Sequence, residues 1–247
     1  MTVQFRSKGA LVEATTTATT SVAVPTPAGF QAGDLLLMCL SFGGLGGSGA
    51  TFPSSLPSDW DTLGTDLTGT IRTASAVYYK IASGSEGSSQ TWSGISLNGT
   101  TFWDTRAEML AFTGVDPSTP IKSGEWAVSS DNSITAAMTH PTVTPSVAGS
   151  GLVLFRLLAV SISTSRDFTS SITAVSNPAG VERSDPTTSN RIDRAIYTRD
   201  GGFALAAQSY TTTASTTGSG GGNAAWSIVL AAAPPVADKS SVGILYG

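Results

Sequence analysis

Nine residues, Asp34-Leu35-Leu36-Leu37-Met38-Cys39-Leu40-Ser41-Phe42, decide the fold of this chain. The run is almost entirely apolar and follows Gly33, a residue type that favours turns. Its length is typical of a β-strand and falls well short of the roughly 18 residues that a membrane-spanning helix needs. Because Cys39 has no second cysteine to pair with, we expect a buried thiol and no internal disulfide.

Comparable segments recur along the chain and are separated by turn signals such as Asn98-Gly99 and Asp200-Gly201-Gly202. They predict further strands at residues 20–24, 74–82, 90–97, 106–114, 151–162, 194–198, 206–214 and 225–232. No window combines a sustained 3.6-residue apolar period with capping residues, so helices longer than a single turn are not expected. The sequence therefore predicts an all-β protein.

The two halves of the chain repeat the same series of motifs in the same order. Gly33-Asp34-Leu35 is answered by Gly151-Leu152-Val153, and Ala107-Glu108-Met109 by Ala225-Trp226-Ser227. Most pairs are offset by about 118 residues, which is what a duplicated supersecondary unit predicts. We therefore predict one antiparallel double-sheet β-sandwich, jelly-roll-like, over residues 1–232, built by internal duplication of halves at about 1–116 and 117–232. Two immunoglobulin-like domains in tandem are the alternative.

Residues 233–247 lie outside this repeat. They begin with Pro234-Pro235, which cannot donate to a β-ladder, and end with an apolar stretch. We predict that this segment is a C-terminal arm that contacts a neighbouring subunit. The predicted assembly contacts are Pro234, Pro235, Val242, Ile244, Leu245 and Tyr246.

Charge is sparse in this chain. Charged residues make up 12%, about half the usual share, and the formal net charge is −4. A nucleic-acid binder needs a basic stripe to replace counterions on the phosphates, and no window supplies one. We therefore expect no nucleic-acid partner and, for the same reason, no anionic membrane surface. The first residues contain no long apolar segment, so we expect no secretory signal peptide.

The parts of a catalytic or cofactor site are scarce. His140 is the only histidine, and we expect an ordinary hydrogen bond for it near a strand end. Gly44-Leu45-Gly46-Gly47-Ser48-Gly49 matches a dinucleotide-binding glycine pattern, but the chain that follows contains Pro53 and does not open a helix. We therefore predict no enzyme, no cofactor and no metal.

Carboxylates are the only abundant reactive groups. Glu108 lies in a strand segment, and Asp59, Asp61 and Asp66 cluster in a predicted loop. A glycosidase needs two carboxyl groups facing each other across a cleft. Nothing in the sequence pairs these four, so we expect solvated side chains or turn caps. Calcium ligation by the three aspartates is the alternative, although the spacing of an EF-hand is absent.

One charged residue interrupts an apolar strand segment. Arg156 lies within Leu154-Phe155-Arg156-Leu157-Leu158. If one face of this strand meets water, Arg156 points outward, and this is the arrangement we expect. If both faces are covered, it needs a carboxylate partner, because burial of an unpaired guanidinium is prohibitive.

The tryptophans divide between core and surface. Trp92 and Trp226 alternate with small polar neighbours, which is typical of strand residues that pack in a core. Trp103 lies in the predicted loop Thr101-Phe102-Trp103-Asp104, which makes it the best candidate for an exposed contact. Trp103 and Phe102 are therefore the predicted ligand contacts.

Several of these motifs together resemble a known module. Gly33-Asp34-Leu35-Leu36-Leu37, Pro57-Ser58-Asp59-Trp60, Ala76-Val77-Tyr78-Tyr79-Lys80 and Ala111-Phe112-Thr113-Gly114-Val115-Asp116 are similar to turns and strand starts of a β-sandwich module. That module occurs in minor tail and other virion structural proteins of tailed bacteriophages that infect actinobacteria. The resemblance covers about residues 21–230 and implies no catalytic residues. It implies a protein made in the host cytoplasm and located in the virion as one of many symmetric copies.

The resulting expectation is a structural component of a phage particle. It would be a minor tail or tail-tip protein, or a capsid decoration protein, that forms a homo-oligomer and packs against other virion proteins. A carbohydrate-binding module that recognises a host surface glycan is the alternative, with loops at residues 43–55 and 98–104 as its site. A glycan-degrading enzyme is a third hypothesis that rests on unpaired carboxylates alone.

Overall fold

The computed structural model describes residues 1–14, 20–44, 50–68, 73–97, 103–131, 137–160, 172–176, 181–184, 192–201, 210–214 and 221–235. These residues contain β-strands and no helix, and the paired strands run antiparallel. The strands are β1 (Gln4–Lys8), β2 (Val12–Ala14), β3 (Ser21–Pro25), β4 (Leu35–Gly44), β5 (Ala50–Thr51), β6 (Asp61–Thr68), β7 (Thr73–Ile81), β8 (Ser89–Ser93), β9 (Ser96–Leu97), β10 (Trp103–Thr113), β11 (Trp126–Asp131), β12 (Ala137–Thr139), β13 (Gly151–Val160), β14 (Ile172–Ser176), β15 (Val181–Ser184), β16 (Ile192–Arg199), β17 (Thr211–Ala214) and β18 (Gly221–Leu230). The predicted all-β antiparallel class is confirmed.

Two large sheets form the centre of the molecule. The first has the strand order β1-β10-β4-β7-β6, with β2 also paired to β10, and the second has the order β11-β18-β13-β16-β15. They pack face to face, because Leu37 and Cys39 of β4 share one core with Val153 and Phe155 of β13. This arrangement is a β-sandwich, as predicted. The internal duplication and the jelly-roll connectivity stay predictions.

The first sheet is covered on both of its faces. Leu37 of β4 points into the core between the large sheets, whereas Leu36 and Met38 point into a second core that includes Val22 of β3 and Trp92 of β8. Successive strand residues point to opposite faces, so a strand covered on both sides is apolar at nearly every position. This double coverage explains the unbroken apolar run from which the fold is predicted.

The second sheet repeats this arrangement. Phe155 of β13 points into the core between the large sheets, and Leu152 and Leu154 are buried on the opposite face. On that side His140, which follows β12, approaches the backbone of Trp226 in β18. A small sheet of β12, β17 and β14 therefore lies outside the second large sheet, as β3 and β8 lie outside the first.

Edge strands account for most of the differences between the sequence prediction and the structure. The sequence does not predict β6 or β11, and the loop predicted around Asp61 and Asp66 is wrong, because both residues lie in β6. An edge strand with one face near solvent needs no apolar run, so its polar sequence hides it. Residue Asp59, just before β6, has a φ of 65°, which fits the short turn into Trp60.

Candidate functional site

The chain leaves the folded body at the start of the predicted arm. The backbone N–H of Ala233 donates to the carbonyl of Gly114 at 2.9 Å, and its carbonyl accepts from the ammonium group of Met1 at 3.3 Å. Pro234 and Pro235, which follow, are exposed. Ala233 is therefore anchored to the body directly before the predicted arm residues Pro234 and Pro235. The remaining predicted arm contacts, Val242, Ile244, Leu245 and Tyr246, lie outside the described residues.

A pocket of about 420 Å³ opens beside this exit, and Pro234 forms part of its wall. Arg6 and Asp34 also line it, with the Nε atom of Arg6 2.6 Å from Oδ2 of Asp34. The same carboxylate accepts a hydrogen bond from the backbone N–H of Gln31 at 2.8 Å. Because Asp34 is already engaged by these donors, the wall presents a compensated ion pair next to the arm.

The second predicted site lies at the start of β10. Trp103 is the first residue of that strand and pairs with Gly44 of β4, so it is a strand residue and not the loop residue predicted. In β5 and β9, Ala50 pairs with Leu97. These pairings place the two predicted ligand loops next to each other at both of their ends. Phe102 lies outside the described residues.

A buried charge cluster lies between the two large sheets. Glu108 of β10 and Arg194 of β16 are both fully buried, and Nη2 of Arg194 lies 2.7 Å from Oε2 of Glu108. Lys8 of β1, which is partly exposed, places its Nζ atom 3.0 Å from Oε1 of the same carboxylate. Arg194 also donates from Nη1 to the carbonyl of Cys39 at 3.2 Å. The expectation that Glu108 is solvated is therefore wrong.

Electrostatics act on two buried groups of this cluster, Arg194 and Cys39. Burial lowers the pKa of the Arg194 guanidinium, and the Glu108 carboxylate beside it opposes that shift. An arginine starts so far above neutral pH that it stays protonated. Burial also raises the pKa of the Cys39 thiol to about 12, so this side chain is neutral at physiological pH and is not a nucleophile. The expected buried thiol is confirmed.

The partners of Glu108 could not be read from the sequence. Arg194 begins a predicted strand and Lys8 lies near the N-terminus, and only the stacking of two sheets brings them together. The available signal was Glu108 itself, a carboxylate inside a mostly apolar strand segment. Such a residue, once buried, requires a cation nearby.

His140 and Arg156 lie on the outer face of the second sheet. His140 is almost fully buried, and its Nδ1 atom lies 3.0 Å from the carbonyl oxygen of Trp226, so Nδ1 carries the proton and donates. The ordinary hydrogen bond expected for His140 is confirmed. Arg156 is also fully buried, and its Nη2 atom donates to Oδ1 of Asn223 at 3.3 Å. The expectation that Arg156 points to solvent is wrong, because a second layer covers this face.

The described residues were also compared with the requirements of metal and membrane sites. Among them, no three His, Cys, Asp or Glu side chains come together as metal ligands. Asp59 precedes β6, whereas Asp61 and Asp66 belong to it. Within the same residues, no helix is long and apolar enough to cross a bilayer.

Comparison with known proteins gives no relative. A scan of protein families, a search of curated proteins and a search of solved structures each return no match. The function is therefore argued from the chain itself.

Proposed function

We propose that this protein is a structural component of a tailed-phage virion, either a minor tail or tail-tip protein or a capsid decoration protein. It works by packing against copies of itself and other virion proteins. The observation that carries this proposal is the exit of the chain, where Ala233 is fixed to the body and Pro234 and Pro235 are exposed. An arm that begins with prolines is kept extended and out of the body's own sheets. The resemblance to virion modules supports the type of particle.

The construction of the body supports a mechanical role. Both faces of the central strands β4 and β13 are buried, so each large sheet is held between two layers. Cores of this kind pack closely and resist deformation. A virion protein must persist outside the cell, and a core covered on both sides would support this without an internal disulfide, since Cys39 is the only cysteine.

The arm is tested by deleting residues 234–247. The truncated chain should keep the thermal unfolding midpoint of the intact chain, because the body up to Ala233 is left unchanged, and should lose self-association in sedimentation velocity. A full-length control replaces the apolar arm residues Val242, Ile244, Leu245 and Tyr246 with serine, and it should behave like the truncation. Unchanged association of both variants would show that the arm is not the contact.

A glycan-binding module is the second candidate, and one observation favours it. The pairing of β5 with β9 and of Trp103 with Gly44 brings together described residues that flank the two predicted ligand loops. A tryptophan side chain has the flat apolar face that suits stacking on a sugar ring. On a glycan array, Trp103→Ala should abolish any signal, whereas Leu67→Ala, an exposed apolar residue on β6, should leave it unchanged. An array without hits would contradict glycan binding and favour the structural role.

A further inference from the structure

The two large sheets share their strand order and the register of their central pairs. The order β10-β4-β7-β6 in the first sheet matches β18-β13-β16-β15 in the second. Cys39 of β4 lies opposite Glu108 of β10, and Phe155 of β13 lies opposite Trp226 of β18. Both Cys39 and Phe155 point into the core between the sheets. Glu108 and Trp226 therefore occupy matching positions in the two sheets.

The correspondence extends to the other strands within each sheet. Ser75 of β7 lies opposite Ser41, which is two residues beyond Cys39 in β4. Arg194 of β16 lies opposite Leu157, which is two residues beyond Phe155 in β13. Ser75 and Arg194 therefore match. Lys8 of β1 lies opposite Leu110, which is two residues beyond Glu108 in β10. Trp126 of β11 lies opposite Ile228, which is two residues beyond Trp226 in β18. Lys8 and Trp126 therefore match as well.

An irregularity recurs at the same place in both sheets. The pairing of β6 with β7 shifts between Thr62 and Gly64, opposite Tyr78 and Val77. The pairing of β15 with β16 shifts between Glu182 and Ser184, opposite Tyr197 and Ile196. A bulge specifies a local bend and twist, so its recurrence at one register position is strong support for equivalence of the two sheets.

The contacts between the two sheets also correspond to each other. Glu108 of the first sheet meets Arg194 of the second at 2.7 Å. Exchanging each residue for its match gives Trp226 and Ser75, and these also meet, with the indole Nε1–H donating to the serine Oγ at 2.8 Å. Matching residues thus make matching contacts, as they do across the two-fold axis of a symmetric dimer.

The ends of the two halves are also joined to each other. The N–H of Asp116 donates to the carbonyl of Ala231 at 2.8 Å, and the N–H of Ala233 donates to the carbonyl of Gly114 at 2.9 Å. Together these bonds form an antiparallel bridge between Val115, which follows β10, and Ala232, which follows β18.

We infer that the face between the large sheets is an interface between two equivalent units, and that Glu108 and Arg194 make it selective for unlike units. If two first halves met, Glu108 would face Ser75 and keep only the partly exposed Lys8 of its own sheet. If two second halves met, Arg194 would face Trp226 with no carboxylate from the opposite sheet. Only the unlike pairing brings a buried carboxylate to a buried guanidinium, and an unpaired buried charge is strongly unfavourable.

The partner that this interface fits is therefore the complementary half, from the same chain or from a second copy. The interface excludes exchange of like halves between copies, which are crowded together in any assembly. The inference concerns the body alone and stands whether or not the proposed virion function is correct.

Transplanting the neutral pair into the charged site tests the equivalence. The variants Glu108→Trp, Arg194→Ser and their combination are made in a Ser184→Gly background. Ser184 matches Gly64, at which an added Cβ would lie 3.3 Å from the Trp226 ring. The background therefore gives a tryptophan at position 108 the same room that Gly64 gives Trp226. Each single variant should lower the unfolding midpoint by about 10 °C, because Glu108→Trp removes the carboxylate from the buried Arg194 and Arg194→Ser leaves Glu108 with only the partly exposed Lys8. The combination should recover most of that loss, and a loss equal to the sum of both single variants would overturn the equivalence.

Selectivity is tested by refolding tagged and untagged full-length copies together. The measured quantity is the amount of untagged protein that is recovered together with the tagged protein, minus the amount recovered when folded copies are mixed without refolding. For the combined variant this amount should be several-fold higher than for the wild type. The variant Glu108→Gln with Arg194→Gln removes both charges with a smaller change of shape and should give the same rise. Recovery at the wild-type level from both folded variants would overturn the selectivity.

Discussion

Two matching positions between the large sheets are filled in opposite ways. One holds the ion pair of Glu108 and Arg194, and the other holds the hydrogen bond between Trp226 and Ser75, with the Trp126 ring stacked on Trp226 at 5.9 Å between centroids. The strand order and register correspond at both positions, so the comparison concerns the side chains. Charge at one site gives selectivity at the cost of desolvation, whereas aromatic packing at the other gives stability without a preference for a partner.

Removing the charge of Glu108 should have the largest effect. Glu108→Gln leaves the Arg194 guanidinium buried without a counter-charge and should lower the free energy of unfolding by about 3–5 kcal/mol. Chemical denaturation at neutral pH measures this. Lys8→Met is the matched control, because its ammonium is 41% exposed, and should cost under about 1 kcal/mol. Equal losses in the two variants would contradict the assignment of Arg194 as the main partner.

Acid should destabilise the protein through His140 in the second half. Burial lowers the pKa of His140 from 6.5 to about 4, so the unfolded chain binds this proton more readily than the folded one. The stability due to neutral His140 is complete above about pH 6.5 and should fall by about 3 kcal/mol as the pH drops to about 4. Denaturant titrations at several pH values measure it, with His140→Asn as the control. A variant with the same pH dependence as the wild type would rule this out.

A methyl group at Gly64 should disturb only the aromatic site. A Cβ there would lie 2.7 Å from the ring of Trp126, so Gly64→Ala forces two packed rings to move and should cost about 1–3 kcal/mol. The measurement is the denaturation midpoint, with the exposed Thr65→Ala on the same strand as control. If both substitutions are neutral, the rings are not packed as described.

The smallest expected effect concerns the neutral hydrogen bond. Ser75→Ala leaves the buried indole N–H of Trp226 without its acceptor and should cost about 1 kcal/mol. Ser75→Thr keeps a hydroxyl and should cost less. Tryptophan fluorescence during unfolding reports the change directly, and an unchanged stability of Ser75→Ala would mean that this bond contributes nothing to the interface.

The sequence predicts the centre of this fold better than its edges. The apolar segments of β4, β7, β10 and β13 are evident because strands covered on both faces are apolar at nearly every position. The edge strand β6 carries Asp61 and Asp66 and reads as a loop, since nothing in its composition requires burial. Its position follows only from pairing with β7, which is a tertiary property.

The buried charges were beyond sequence analysis for a related reason. Glu108, Lys8 and Arg194 are far apart along the chain, and their meeting depends on how two sheets stack. Burial of Arg156 is not evident from the sequence, because the layer outside β13 is formed by short strands such as the three-residue β12, which the sequence does not predict. By contrast, the buried state of Cys39 follows from its own segment and was predicted correctly.

The mass of the intact protein in solution, measured by light scattering over a range of concentrations, tests the proposed function most directly. We expect a stable oligomer whose mass is a whole multiple of the 25.1 kDa chain. Deleting residues 234–247 should return it to the mass of one chain. An intact protein that remains a single chain at every concentration would contradict self-assembly as its mode of action.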